Sequence, residues 1–301
     1  MANVYREVWT GEVIKAFEWG LKDTFLDGVQ DYSRHVTGND EVQAIHSIYF
    51  GVRPDVLINN TTYPISIQEL DGDDITITLD KYQTTVTPIT DDELFALSYD
   101  KIKTVKDSHS DAIVENRLRK AAHALAPLNH DIQHPVLLTT GELVGNRRRL
   151  RWEDIINVRS AYARAKIKIE GLRFILCPDH VNDLLNEEKS LFGKSYANFQ
   201  GGVITNQLGF EFREYELNPY YNVATKTKVS LGTIPDDDVH SQASFVFPLK
   251  KTGRATGLTK MYWSEAKNDP TMQRNLVSFR NYFIAMPLVL EGFAAIISPK
   301  S

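Results

Sequence analysis

Apolar positions along the chain change period several times, and each change marks an element. Glu12 to Leu26 places Val13, Ile14, Phe17, Leu21 and Phe25 at three- and four-residue intervals, the spacing of an amphipathic helix. Isolated aromatics (Tyr5, Trp9, Trp19, Tyr32) surround it with little period. The segment therefore reads either as one that docks on something larger or as a helix packed on its own domain. From Asn59 to Pro88 the period is two: Tyr63, Ile65 and Ile67 alternate with polar residues or proline, and Ile75, Ile77 and Leu79 alternate with Thr76, Thr78 and Asp80. Asp71-Gly72-Asp73-Asp74 between them has turn composition, so the pattern predicts a β-hairpin with one apolar face. An isolated two-stranded hairpin is marginal in water, and another surface must cover that face.

A helix is predicted immediately afterwards. Thr90-Asp91-Asp92-Glu93 has the form of a capping box, with acids suited to the positive helix N-terminus. The run continues without Gly or Pro to Ala126, with Leu94, Leu97, Ile102, Val105, Ala112, Ile113, Leu118, Ala121 and Leu125 as its apolar set, and Pro127 ends it. At ~1.5 Å per residue this is a rod of roughly 50 Å. Residues 126–145 read as loop. Trp152 to Lys168 is predicted helical, with Ile155, Ile156, Val158, Ala161, Tyr162 and Ala165 inward. Leu172 to Cys177 reads as a buried strand, and Pro178 suits the first turn of a helix continuing to Glu188. A strand pair is expected around Gly209 and a polar, exposed loop over 218–238. A further strand is expected over 243–247, and two strands over 275–297 meeting near Glu291-Gly292.

Composition narrows the class without naming a function. The 301 residues are 42% hydrophobic and 24% charged, with a net charge of −5, which excludes disordered, collagen-like and disulfide-scaffold chains. The lone cysteine, Cys177, has no partner for an intrachain bridge. Met1 to Thr10 holds no apolar block, so no secretory signal is expected, and the longest apolar run, Phe283 to Leu290, is too short to span a membrane. Charge is segregated along the chain. Between Ile67 and Glu93, eight acids (among them Asp71, Asp73, Asp74 and Asp80) face Lys81 alone; between Arg147 and Arg173, nine bases face three acids.

Candidate chemistry is sparse. GxxxxGK[ST], GxGxxG, GxSxG and HExxH are absent. His130 and His134 stand four apart, a metal-binding spacing on a helix, but Pro127 and Pro135 flank them and put them in a loop. Asp236-Asp237-Asp238 and Asp71-Gly72-Asp73-Asp74 lack the spaced ligands of a calcium loop and read as solvated turns. Cys177, in an apolar run, reads as an inert buried thiol. The cluster Arg147-Arg148-Arg149-Leu150-Arg151 suits acidic partners or phosphates. The chain as a whole is acidic and only Trp152 adjoins the cluster, so pairing with acidic groups on another subunit is the preferred reading. No cofactor and no metal site is expected.

The order of elements and several local runs resemble the major capsid proteins of tailed phages, a Hong Kong 97-like family whose fold is shared with encapsulins and the herpesvirus capsid floor. The runs are Ile75 to Tyr82, Thr85 to Leu94, Leu97 to Lys101, Arg173 to His180, Leu208-Gly209-Phe210 and the closing segment from Ser278 to Ile297. The resemblance implies an α+β fold. Residues 1–51 would be an N-terminal arm reaching across neighbours, and 52–88 an extended β-hairpin loop. A peripheral domain would comprise 89–150 and 258–301, with its long spine helix at 91–126, and an axial α/β domain 151–257. It further implies a non-enzymatic shell subunit that self-assembles into hexamers and pentamers of an icosahedral shell around double-stranded DNA. Scaffold, portal and decoration proteins would be further partners, DNA contact would be non-specific, and no membrane is involved. Assembly would take place in the host cytoplasm and the product would be the virion capsid. Together with the charge segregation, it points to Asp71, Asp73, Asp74 or Asp80 meeting Arg147, Arg148, Arg149 or Arg151 across a subunit interface. Two alternatives use the same residues differently: an encapsulin-like compartment, or an α/β enzyme with no recognisable motif. A tail or connector subunit is a third.

Overall fold

The computed structural model describes residues 11–17, 20–39, 42–50, 72–187, 204–268 and 271–300. The first elements are a helix over residues 11–17 (α1), then β1 (Gln30–Asp31), β2 (Val36–Gly38), β3 (Gln43–Phe50), β4 (Gly72–Thr78), β5 (Asp80–Gln83) and β6 (Thr87–Thr90). The long helix α2 (Asp91–Leu125) follows, then β7 (Val136–Leu138), β8 (Leu143–Val144), β9 (Arg147–Arg148), helix α3 (Trp152–Arg164), β10 (Leu172–Leu176) and helix α4 (Pro178–Glu187). The chain continues through β11 (Thr205–Gln207), β12 (Phe210–Glu214), β13 (Tyr220–Asn222), β14 (Thr227–Lys228), β15 (His240–Pro248), β16 (Thr252–Ser264), β17 (Arg274–Pro287) and β18 (Ala294–Ile297).

Two sheets carry the body. In one, β17 lies between β16 and the successive short strands β5 and β6, with β1 added at the outer side of β16. In the other, β10 runs parallel to β12 and antiparallel to β15, while β15 also pairs with β13 and β18, and β7 lies beyond β18. The expected spine helix ends where Pro127 forbids continuation, one residue before the predicted limit. Its last turn is buried: Ala121, Ala122 and Leu125 join Phe245 and Phe247 of β15, Phe283 and Ala285 of β17, and Ile297 of β18 in one continuous core. That core is the joint between the two sheets. The Lys228 ammonium donates to the carbonyls of His123 and Ala126, each at 2.6 Å, and so covers the free carbonyl end of the helix.

The N-terminal segment packs on its own chain. Leu21, Phe25, Leu26 and Val29 belong to the joint core, and Val13 and Phe17 of α1 are buried against Ile113, Met261 and Phe279. Three arginines crown its turn. Arg213 donates to Thr24 O at 2.7 Å, Arg173 to Phe25 O at 2.9 Å and Asp27 O at 2.5 Å, and Arg254 to Leu26 O at 3.3 Å. Glu211 accepts from both Arg173 and Arg213, so the buried charges have an acidic partner.

Several expectations require correction. β4 pairs with β3, Ala44 opposite Thr78 and Phe50 opposite Gly72, so the arm facing Ile75 and Ile77 is residues 43–50. The Asp73-Asp74 stretch lies in the strand because its amides pair with β3, whatever its turn composition. The expected Tyr63–Gln68 strand and the side chains of the Thr90–Glu93 capping box lie outside the described residues. The hairpin ribbon thus begins inside the expected 1–51 arm, and β5 and β6, assigned to the 52–88 loop, pair with β17 in the body. The two closing strands do not pair with each other: β17 stays with β16, and β18 crosses to β15 and β7. Residues 136–138 and 294–297 therefore sit in the sheet of the expected 151–257 unit, and Thr252 to Gly257 in the other.

Helix α3 stops at Arg164, short of the predicted Lys168. Lys166 takes φ 57°, and the Ile167 and Lys166 amides turn back to Tyr162 O and Ala163 O, closing the helix so that Ile167 can be buried. Ile156, expected inward, is exposed, as is Ala112 of the spine. The 218–238 loop contains β13 and β14, anchored by Tyr221, whose hydroxyl donates to Pro127 O. Leu208 and Gly209, with φ 54° and 88°, form the two-residue turn of the β11–β12 hairpin, as the position of Gly209 predicts.

Candidate functional site

The hairpin root is seated by apolar contact and by one amide. Ile45 and Leu79 bury against Ala255, Tyr282 and Met286, which is the covering surface the apolar face requires. The Gln43 side chain, 8% exposed, accepts from the Leu258 amide at 2.7 Å where β16 bulges. Gly257 makes room for it, since a Cβ there would lie 1.9 Å from Gln43 Oε1. Asp80, at the foot of the ribbon, pairs with Lys120 of its own spine helix at 2.6 Å.

The basic cluster forms an extended ribbon. Gly145, with φ 62°, opens the two-residue turn of the β8–β9 hairpin, and residues 147–151 run out of it into the first turn of α3. Arg147, Arg149 and Arg151 alternate along the ribbon. Asp179, Asp183 and Glu187 stand four apart on α4. A strand advances about 6.6 Å per two residues and a helix about 6 Å per four, so the two rows match in pitch. Arg147 donates to both Asp183 oxygens at 2.6 and 3.1 Å and reaches Asp179 at 3.3 Å. Arg149 lies 3.9 Å from Asp183, and Arg151 3.4 Å from Glu187. Asp183 is 4% exposed and also accepts from the Leu150 amide at 3.0 Å, and these bonds hold the Arg147 guanidinium above its ordinary range despite burial. Asp154 finishes the join, accepting from the Arg151 amide and from Thr140.

Arginines expected to seek a neighbouring subunit thus have acids on their own chain, which sequence reading missed. The signal was present in Asp179, Asp183 and Glu187, spaced for one helical face. Arg148 points elsewhere: its side chain is exposed and donates to Gly141 O at 3.2 Å. The structure does not bring Arg147, Arg148, Arg149 or Arg151 to Asp80 within the chain, and the side chains of Asp71, Asp73 and Asp74 lie outside the described residues.

Catalytic groupings resolve into sealed structure. His180, 1% exposed, lies 2.6 Å from Ser244 Oγ and 2.9 Å from Ser298 Oγ, while Ser244 accepts from the Cys177 amide. Burial holds the imidazole down to about 4 and pushes the Cys177 thiol up to about 11, so neither is poised for proton transfer or attack. The network ties α4 to β15 and to the segment after β18. His130 accepts from the Val136 amide and His134 pairs with Asp131, so the two histidines have separate partners. Among the described residues no group of three or more potential metal ligands gathers, and no helix is long and apolar enough to cross a membrane. A groove of about 540 Å³ between α2 and β5–β6 is lined by Tyr82, Thr84, Thr85, His109, Asn116 and Lys120. His109 turns its ring against Phe279, with centroids 5.6 Å apart, and bonds to none of the groove's hydroxyls among the described residues.

This arrangement of spine helix, based hairpin and two sheets sharing one joint is the fold of phage major capsid proteins. The capsid of a native GTA particle superimposes with TM-score 0.61 at 9% identity, covering 91% of this chain and 89% of that chain. The capsid of Ralstonia phage GP4 gives 0.56 at 10% identity, covering 91% and 87%. A virus-like particle from Pyrococcus furiosus gives 0.51 at 8% identity, covering 97% and 99%. No protein-family model and no curated protein matches the chain.

Two measurements test the site's energetics. Asp183→Asn, which removes the buried carboxylate that accepts from Arg147 and from the Leu150 amide, is expected to destabilise by roughly 3 kcal/mol. Asp179→Asn, at a side chain 62% exposed, should stay within about 0.5 kcal/mol in the same urea titration. His180 is neutral in the folded protein down to about pH 4, whereas an unfolded imidazole takes a proton near 6.5. Its contribution is therefore intact above pH 6.5 and is lost as pH falls toward 4, about 3 kcal/mol in all. In His180→Asn, unfolding free energy between pH 5 and 6 should vary less steeply, by about 1 kcal/mol per pH unit.

Proposed function

We propose that this chain is the structural subunit of a viral capsid, forming hexamers and pentamers of an icosahedral shell around double-stranded DNA. It would assemble in the host cytoplasm and have no catalytic activity. The observation that carries the reading is the extent of the fold: about nine-tenths of this chain and of each phage or GTA capsid chain superimpose. The sealed His180 network is consistent with a scaffold whose polar residues are spent on rigidity. Scaffold, portal and decoration proteins are the further partners the reading implies, with DNA held by non-specific contact. The nearly full-length match to a virus-like particle supports a second reading, a closed shell with protein inside.

Electron microscopy and light scattering of the purified full-length protein test the proposal. Closed shells tens of nanometres across, or discrete pentamers and hexamers, are expected; a monomer or dimer at high concentration and moderate salt would overturn it. Particles from the native source should contain nuclease-sensitive DNA, and a protein cargo in its place would favour the second reading.

The subunit contact proposed for Asp71, Asp73 and Asp74 is best served by exposed Arg148 and by half-exposed Arg149, whose contact with Asp183 is long at 3.9 Å, because Arg147 and Arg151 are paired more closely within the chain and Asp80 is held by Lys120. Asp73→Lys with Asp74→Lys should reduce particle yield most at low salt, and Arg148→Glu with Arg149→Glu on the same chain should restore part of it. Equal yields from all three proteins would remove this contact.

A further inference from the structure

Arg117 of the spine helix is fully buried and under-bonded. Its relative exposure is 0%; Nη2 donates to Thr256 Oγ1 at 3.2 Å, while Nε and Nη1 have no partner. A guanidinium carries five N–H donors and is costly to strip of water unless they are met. Two aromatic rings take the place of acceptors. The guanidinium carbon lies 4.0 Å from the centroid of Phe283 and 5.2 Å from that of Phe17. The charged or titratable groups that act on it are the Tyr82 hydroxyl and a second cation, Arg254. Asp80, the carboxylate that acts on Tyr82, is engaged by Lys120.

The two rings differ in how firmly they are held. Phe283 and Thr256 face each other in the ladder between β17 and β16, so one wall of the cage is sheet. Phe17 comes from α1, a single surface helix held by buried Val13 and Phe17 and by the Glu12–Lys106 ion pair. Closing α1 buries two apolar side chains and at the same time strands several guanidinium donors. Lifting α1 exposes the apolar pair and gives those donors water. The two effects oppose each other at one place, which is the condition for a two-state element.

We propose that residues 11–17 form a strap over Arg117, in equilibrium between a closed position and a lifted one in which the guanidinium is hydrated. The arginine weakens the closed state while the Phe17 ring makes it selective, so any contact that captures α1 elsewhere has little to overcome. The anchor of the strap is the arginine-crowned turn at residues 24–27, which stays bound when α1 lifts. The inference holds whatever the assembled protein encloses.

Hydrogen exchange followed by mass spectrometry on the full chain tests it. Amides of residues 11–17 should exchange at least ten times faster than those of the spine around Ile113 to Leu125. Arg117→Met has similar length and no charge, so the strap should close more firmly and its exchange should slow by about tenfold, with the turn at 24–27 unchanged. Unaltered or faster exchange of residues 11–17 in that variant would overturn the proposal. A second measurement needs no variant: phenylglyoxal labelling of Arg117 in the wild-type protein should proceed at a rate that tracks the opening of residues 11–17. An Arg117 that stays unlabelled while those amides exchange, or a strap as protected as the spine, would also overturn it.

Discussion

The end of the spine helix, wedged between two sheets, is the constraint on which the rest of the structure depends. Ala121, Ala122 and Leu125 share one core with β15, β17 and β18, and the small side chains of the two alanines allow close packing there. Because the same core includes Phe25 and Leu26, the N-terminal turn is part of the joint and does not hang from it. The joint sets where β17 lies, and β17 in turn sets β5 and the foot of the hairpin ribbon. Lys228 serves this arrangement by covering carbonyls that the helix end would otherwise leave bare in a partly dry place.

Buried and half-buried arginines recur through the structure, and they meet the cost of burial in different ways. Arg173 and Arg213 share Glu211 and each also donates to backbone carbonyls of the N-terminal turn, although Arg173 Nε has no partner. Arg147 takes the bidentate carboxylate of Asp183. Arg117 has one hydroxyl and two rings, the least complete set of the four.

The alternating arginines on a ribbon against acids spaced four apart on α4 illustrate why net segmental charge is a poor guide to contacts. The ribbon counts as strongly basic in a linear tally, yet much of its charge is met by a helix some thirty residues downstream. The part of the ribbon that α4 leaves unmet is narrower: Arg148 and part of Arg149 beside the exposed apolar residues Leu143 and Val144 of the β8–β9 hairpin.

Periodicity alone determined the spine helix, the buried strand before Pro178, the strand at 75–79 and the turn at Gly209, because those patterns are local and a side chain's face follows from its spacing. The order of these elements was also enough to bring the capsid fold into view. Tertiary structure decided everything that depends on pairing between distant segments. β4 took β3 as a partner, and β17 and β18 parted to different sheets, since strand pairing is set by which amides meet in space. The own-chain acids of the arginine ribbon and the cage around Arg117 belong to the same class. Charge and burial are properties of surroundings, and the surroundings of residues 117 and 147 come from segments 30 to 170 positions away.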